Sequence, residues 1–99
     1  MAQRLQNHVL TFLILSTNND KLVSYVGYTN NLKKRLILHN TSKGAKFTKG
    51  RIWKLAYFKK YESKSQALKE EYRLKKDYIL RSRIKKKFIK NENFSSTSI

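Results

Sequence analysis

Tyr25 and Arg35 are the residues of this chain whose types and spacing first suggest chemistry. Tyr25 lies near the end of a β-type run just before Gly27, and Arg35 lies on the inward stripe of the amphipathic stretch that follows. An arginine in that position can simply extend its charged end to water. The alternative is that a phenol and a guanidinium converge where a strand meets a helix N-terminus, a place that binds phosphate groups. Both interpretations stay open at this point.

Three β-type runs and three helical stretches must position these side chains. The strands are predicted at residues 8–15, 22–26 and 52–58, and the first helix at about residues 31–39. Asn30 is the expected N-cap of this helix, and Ser63 with Gln66 forms a capping box that opens the second. The order β-β-α-β-α-α predicts an α+β fold, in which helices flank a small three-stranded antiparallel sheet.

The chain is predicted to form one domain, because 99 residues can bury only a modest core. We place this domain at residues 8–90. Residues 1–7 are polar and are expected to be frayed, and residues 91–99 are rich in Ser and Asn and are expected to form a disordered tail.

The charge of the chain favours an anionic partner. Lys and Arg number 23 against 6 Asp and Glu, for a formal net charge of +17. Nucleic acid is the first candidate and a membrane surface the second, but the longest apolar run, from Val9 to Leu15, is too short to span a bilayer. No cysteine and no signal-peptide pattern occur, so we expect an intracellular protein, cytoplasmic if bacterial and nuclear or organellar if eukaryotic.

A basic loop offers a track for a phosphate backbone. Residues 41–51 contain two glycines and several cations and follow the first predicted helix directly. The candidate DNA-binding residues are Lys34, Lys43, Lys46, Lys49 and Arg51. Trp53 and Tyr57, just beyond, are interpreted as core residues rather than as base-stacking ones.

Glu71 is the unexpected member of the second helix. It falls on the same line as Ala67, Leu74 and Tyr78, where an apolar residue would be expected. A surface ion pair with Lys75, four residues on, is the simple interpretation. A carboxylate that faces a phosphate site is the functional one.

The ordered set of these residues resembles the GIY-YIG nuclease family. The resemblance covers residues 9 to 80 approximately, and it is carried by Tyr25-Val26-Gly27, Thr29, Leu32, Arg35, His39-Asn40, Gly44-Ala45-Lys46-Phe47-Thr48, Ala67-Leu68 and Glu71. The run that begins at His39 is most similar to small stand-alone bacterial-type members. The flap-cutting, structure-selective branch is the second possibility.

The resemblance implies a metal-dependent DNA endonuclease, selective for structure rather than sequence, with RNA as an alternative substrate. It implies that Tyr25 orients or deprotonates a water, that Arg35 holds the developing phosphate charge and that His39 hydrogen-bonds nearby. Glu71 would bind one divalent ion, Mg²⁺ or Mn²⁺. A single carboxylate is a small number of protein ligands for such an ion. Mg²⁺, however, readily keeps bound waters and takes phosphate oxygens as ligands.

One position departs from the family pattern. The first motif tyrosine is expected on the first strand, where our alignment places Leu13, and the chain has no tyrosine before Tyr25. The second hypothesis is therefore a catalytically impaired nucleic-acid-binding module that keeps the fold. A third, a basic ribosome-associated protein, explains the charge but not the ordered motif.

Overall fold

The computed structural model describes residues 8–18 and 21–97, and the side chains of residues 8–17 and 21–91. The predicted frayed segment 1–7 lies outside the described residues. The elements follow the order β1 (Val9–Asn18), β2 (Lys21–Thr29), α1 (Leu32–Asn40), a 3₁₀ turn (Lys46–Thr48), β3 (Lys54–Tyr61), α2 (Lys64–Lys76) and α3 (Tyr78–Thr97).

The three strands form one antiparallel sheet in the order β2-β1-β3, which confirms the predicted α+β class. The central strand β1 carries a continuous apolar run because both of its faces are covered. Phe12, Leu13, Ile14 and Leu15 are each at most 1% exposed. A strand buried on both sides loses the alternation of polar and apolar residues that marks a half-exposed strand.

The two faces of the sheet pack against different helices. On one face, Leu13, Leu15 and Val26 contact Leu74 and Ile84 of α2 and α3, and we call this the α2/α3 face.

On the opposite face, Phe12, Ile14 and Tyr25 pack with Leu32 and Leu36 of α1, and we call this the α1 face. Strand alternation explains the division, because successive side chains point to opposite sides of a sheet.

Several predicted boundaries are shifted. The N-cap of α1 is Asn31 rather than Asn30, since the Asn31 side chain accepts a hydrogen bond from the backbone N–H of Lys34. Asp77 separates α2 from α3 by accepting from the Leu80 N–H at 2.9 Å, so Tyr78 begins a new helix and is exposed rather than on the apolar line of α2.

The helix α3 continues to Thr97, into the segment where the sequence predicts a disordered tail. Extending a helix that is already formed adds a hydrogen bond for each residue fixed, and this segment contains neither Gly nor Pro to stop it. No described helix is both long and apolar enough to cross a membrane.

Candidate active site

Tyr25 stands at the centre of an aromatic cluster on the α1 face. Its ring centroid lies 5.0 Å from that of His39, 6.3 Å from that of Trp53 and 6.4 Å from that of Phe47. The Phe47 ring is nearly parallel to that of Tyr25, is half exposed and carries the Arg51 guanidinium 5.3 Å from its centroid. Tyr25 is therefore held by rings from several parts of the chain while remaining only half buried.

His39, at the end of α1, is fully buried beside Tyr25. Its Nδ1 lies 2.8 Å from the hydroxyl oxygen of Thr48, and that hydroxyl donates to the carbonyl of Ala45 at 2.7 Å. Its Nε2 is also buried and has no hydrogen-bond partner among the described residues. Buried polar atoms are almost always paired, so Nε2 is an exception for which the described residues supply no partner.

Asn40 closes the loop that brings Thr48 to His39. Its side-chain amide donates to the carbonyl of Trp53 at 3.1 Å, and its side-chain oxygen accepts from the Trp53 N–H at 2.6 Å. The indole N–H of Trp53 then donates to the carbonyl of Thr48 at 3.0 Å. The run from His39 to Trp53 is thus one closed loop whose two ends are clamped together.

Arg35 lies one turn before His39 on α1, and its buried Nε has no hydrogen-bond partner in the part of the chain that the structure describes. The side chain lines an open groove of about 350 Å³, together with Val9, Tyr28, Thr29, Asn30 and Lys64. Burial lowers the pKa of His39 below its usual 6.5, and the positive charge of Arg35 lowers it further. His39 is therefore a neutral base at pH 7, next to a fixed cation.

Glu71 is held on α2, and its side chain is only 15% exposed. Its Oε2 lies 3.4 Å from the Lys75 ammonium, the ion pair of the simple interpretation. Among the residues whose side chains are described, no hydrogen bond or ion pair joins Glu71 to Tyr25, Arg35 or His39. Of the four predicted catalytic residues, Tyr25 and His39 are thus in ring contact, Arg35 acts on His39 through its charge, and Glu71 has no direct bond to the other three.

Glu71 is the candidate ligand for a metal ion. No group of three or more His, Cys, Asp or Glu side chains occurs within the described part of the chain. Glu71 nevertheless fits Mg²⁺ or Mn²⁺, because such ions keep several waters and complete their shell with phosphate oxygens. The residues present suit a weak metal site that nucleic acid completes.

The position of Leu13 was wrongly predicted. Leu13 lies on the α2/α3 face with Leu74, on the side of the sheet opposite Tyr25. Phe12 lies on the α1 face, with its ring centroid 6.4 Å from that of Tyr25 and 6.0 Å from that of His39. Phe12 is therefore the aromatic residue of β1 that faces the site, next to Ile14 on the same face, and it has no hydroxyl either.

Most of the predicted DNA-binding residues are exposed. Lys34 projects from α1, and Lys43, Lys46 and Lys49 lie on the loop that Asn40 closes. Arg51 is the exception, since it is half buried against Phe47.

Comparison with known proteins places the chain in a family. The family profile described as the GIY-YIG catalytic domain matches residues 8–85. The chain belongs to the GIY-YIG family. Membership in this family implies nuclease chemistry, with nucleic acid as the class of substrate.

The relatives of this GIY-YIG chain are small bacterial proteins. The UPF0213 protein of Clostridium perfringens is 43% identical over 86 residues, covering 82% of this chain and 88% of the relative. The UPF0213 protein of Bacillus velezensis is 37% identical over 89 residues, covering 89% of this chain and 85% of the relative. That of Oceanobacillus iheyensis is 56% identical over 52 residues, but the match spans only 60% of that relative's length. No solved structure gives a significant match.

Sequence reasoning gave no role to Asn40, Phe47 and Thr48. All three stand in the run that carries the resemblance to the GIY-YIG family, so the signal was present. Their roles depend on contacts across the loop, which spacing alone does not reveal.

Proposed function

We propose that this GIY-YIG domain is a metal-dependent DNA endonuclease that selects structure rather than sequence. The observation that supports the proposal is that the ring of His39 contacts the ring of Tyr25 and lies close enough to Arg35 for that charge to lower the pKa of His39. Arg35 and His39 each have a buried polar atom, Nε and Nε2 respectively, that has no partner among the residues described. A donor and an acceptor one helical turn apart suit a phosphate oxygen and an attacking water.

Each residue then has a distinct part in phosphodiester hydrolysis. Tyr25 orients the attacking water, His39 accepts a hydrogen bond from it, and Arg35 neutralises charge that develops on the phosphate. Glu71 holds the divalent ion, which when bound stabilises the negative charge of the departing oxygen. The ion pair with Lys75 keeps the Glu71 carboxylate compensated when nucleic acid is absent.

The surface charge supports DNA binding without base recognition. A net charge of +17 and the exposed Lys43, Lys46 and Lys49 suit contacts to phosphates, which position a duplex but carry no sequence information. Flaps, single strands and duplexes are therefore distinguished by shape. RNA is the alternative substrate.

The second candidate is a nucleic-acid-binding module with impaired catalysis. The observation that favours it is Phe12, which faces Tyr25 from β1 without a hydroxyl. In this case Tyr25 and His39 would form a phosphate-binding surface rather than a catalytic one.

A cleavage assay tests the proposal directly. Purified protein is incubated with labelled flap, duplex and single-stranded DNA and with single-stranded RNA, each with Mg²⁺, Mn²⁺ or EDTA. We expect cleavage of at least one DNA substrate that requires the ion. Binding without cleavage on every substrate would support the second candidate instead.

Glu71→Gln tests the metal role, and Glu70→Gln is its matched control. Both residues lie on α2 and pair with a cation on the same helix, Glu70 with Arg73 at 3.4 Å. Glu71→Gln should abolish cleavage and leave DNA affinity equal or slightly higher, whereas Glu70→Gln should preserve both. Full cleavage by Glu71→Gln would show that Glu71 is not part of the site and that its contact with Lys75 is a structural ion pair.

A further inference from the structure

The hydrogen bonds around Thr48 determine which nitrogen of His39 carries the proton. A threonine hydroxyl has a single proton to donate, and that of Thr48 is directed at the carbonyl of Ala45, 2.7 Å away. The His39 Nδ1 lies 2.8 Å from the same oxygen. A carbonyl oxygen can only accept, so the short contact with Ala45 uses the hydroxyl proton. The contact with His39 is then a hydrogen bond only when Nδ1 is the donor.

A neutral imidazole that carries its proton on Nδ1 has a lone pair on Nε2. Nε2 is buried and has no partner within residues 8–17 and 21–91, whose side chains are described, and the ring lies beside that of Tyr25. The other tautomer would place a proton on Nε2, so that nitrogen could neither accept a hydrogen bond nor take up a proton.

We propose that Thr48 is a positioning residue that fixes His39 in the Nδ1–H tautomer, so that Nε2 serves as the acceptor for the attacking water. This inference rests on the proposed nuclease function. In the step it supports, the O–H bond of water breaks and its proton moves to Nε2 while the oxygen bonds to phosphorus. The bond from phosphorus to the 3′ oxygen breaks, and that oxygen keeps the electron pair and takes a proton from solvent.

The surroundings of the ring agree with a neutral acceptor. The charged or titratable groups that act on it are Arg35 from α1 and Tyr25 from β2. The ring is also contacted by Phe12 from β1 and by Gly44 and Thr48 from the loop, which carry no charge. Neither the loop nor β1 supplies a carboxylate that would favour the imidazolium form.

The tautomer is measurable without any cleavage assay. Long-range ¹H–¹⁵N correlation spectra of the labelled full chain report which ring nitrogen is protonated. The chain has two histidines, and His8→Gln removes the signals of the exposed one. Above the pKa of His39 we expect a protonated Nδ1 and a bare Nε2. A wild-type ring protonated on Nε2 would overturn the proposal before any Thr48 variant is made.

Thr48→Val and Thr48→Ser separate the hydroxyl from the shape of the side chain. Valine has nearly the size of threonine but no hydroxyl, whereas serine keeps the hydroxyl and loses a methyl group. Thr48→Val should shift His39 toward the Nε2–H tautomer and lower kcat by about 10-fold or more, with little change in DNA affinity. Thr48→Ser should keep the tautomer and most of the activity.

Failure of this inference is distinguishable from failure of the proposed function. If the wild type cleaves DNA and Thr48→Val keeps both the tautomer and the rate, Thr48 has no positioning role. If the Nδ1–H tautomer is present but no substrate is cleaved, the tautomer assignment stands and the nuclease proposal fails. If Thr48→Val does not fold, the wild-type spectrum and the Thr48→Ser rate decide the question.

Discussion

Gly44 lies directly against the ring of His39. A Cβ atom built on Gly44 would stand 2.4 Å from Nδ1 and 2.9 Å from Cε1. Real contacts of a Cβ atom are essentially never this short, so the ring and a side chain at position 44 exclude each other. The position of the buried His39 ring therefore requires a glycine at position 44.

Replacement of Gly44 should displace His39. Gly44→Ala forces either the loop or the buried ring to move, so we expect a loss of about 1–3 kcal/mol in the free energy of unfolding. The His39 resonances should shift as its bond to Thr48 lengthens. Denaturant unfolding and ¹H–¹⁵N spectra provide the measurements.

Gly50→Ala is the matched control for this change. Gly50 has a φ of +74°, and nothing lies within 4 Å of a Cβ built there. The variant Gly50→Ala should therefore be less stable because of backbone strain, but its His39 resonances should not shift. Equal perturbation of His39 by both variants would contradict the contact with Gly44.

Asn40 should contribute to stability through its two bonds to the Trp53 backbone. Asn40→Ala leaves a partly buried N–H and a carbonyl without their partner, at a cost of about 1–3 kcal/mol. Asn30→Ala, at an exposed asparagine, should change stability little. Unfolding followed by the fluorescence of Trp53 compares the two, and similar losses in both would argue against the clamp.

Phe12→Tyr, rather than Leu13→Tyr, should restore the missing phenol to the site. The Phe12 ring lies across Gly27, and its Cζ would be 2.9 Å from a Cβ built on that glycine, so only glycine leaves room for it. We expect Phe12→Tyr to increase metal-dependent cleavage without a change in DNA affinity.

Leu13→Tyr is the control for the direction of the side chain. Leu13 packs with Leu74 and Ile84, so its new hydroxyl would enter an apolar core and cost about 1–3 kcal/mol without raising the rate. A rate increase for Leu13→Tyr alone would show that the assignment of the two sheet faces is wrong.

The pKa of His39 should respond to Arg35. Burial is the larger cause of the lowered pKa and Arg35 the smaller, so Arg35→Gln should raise the pKa partway toward 6.5, while Arg35→Lys should keep it low. An NMR titration of the ring protons measures both variants, even if they are inactive. A wild-type pKa at or above 6.5, or no response to Arg35→Gln, would contradict this prediction.

The same shift gives the sign of the pH dependence. Between the lowered pKa of the folded state and 6.5, the unfolded chain binds more protons at His39 than the folded chain does. The contribution of His39 to stability is therefore fully present above pH 6.5, is lost as the pH falls toward the folded pKa, and is constant below it. The cleavage rate should also fall as the pH drops through this lowered pKa, because protonated His39 cannot accept the proton of water.

Salt should weaken DNA binding steeply if the loop follows the phosphate backbone. Each phosphate contact contributes about 0.9 to the slope of log affinity against log salt, so replacing Lys46, Lys49 and Arg51 with glutamine should reduce the slope by about 2–3. A control triple at exposed Lys60, Lys69 and Lys86 removes the same charge elsewhere. Equal effects of the two triples would mean that the loop has no special part in binding.

Local signals in the sequence determined the elements and their order. The capping box at Ser63 is seen in the bond from the Gln66 N–H to the Ser63 hydroxyl, and the apolar run of β1 identified the central strand. Helix caps and strand propensity depend on residues that are close in the chain, so they can be predicted from the sequence without knowledge of the fold. The placing of Tyr25 on a strand and of Arg35 and His39 on the helix that follows was likewise predictable, because a motif orders residues along the chain.

Tertiary structure decided which of these residues meet. Leu13 and Phe12 are adjacent in the chain, but the pairing of β1 with β2 sends only Phe12 to the side of Tyr25, and a shift of one residue would reverse the two. The bond of His39 to Thr48 and the clamp of Asn40 on Trp53 depend on how a long loop folds back. Sequence spacing cannot specify such a path, because loop closure allows many routes and only packing against Tyr25 and Trp53 selects one.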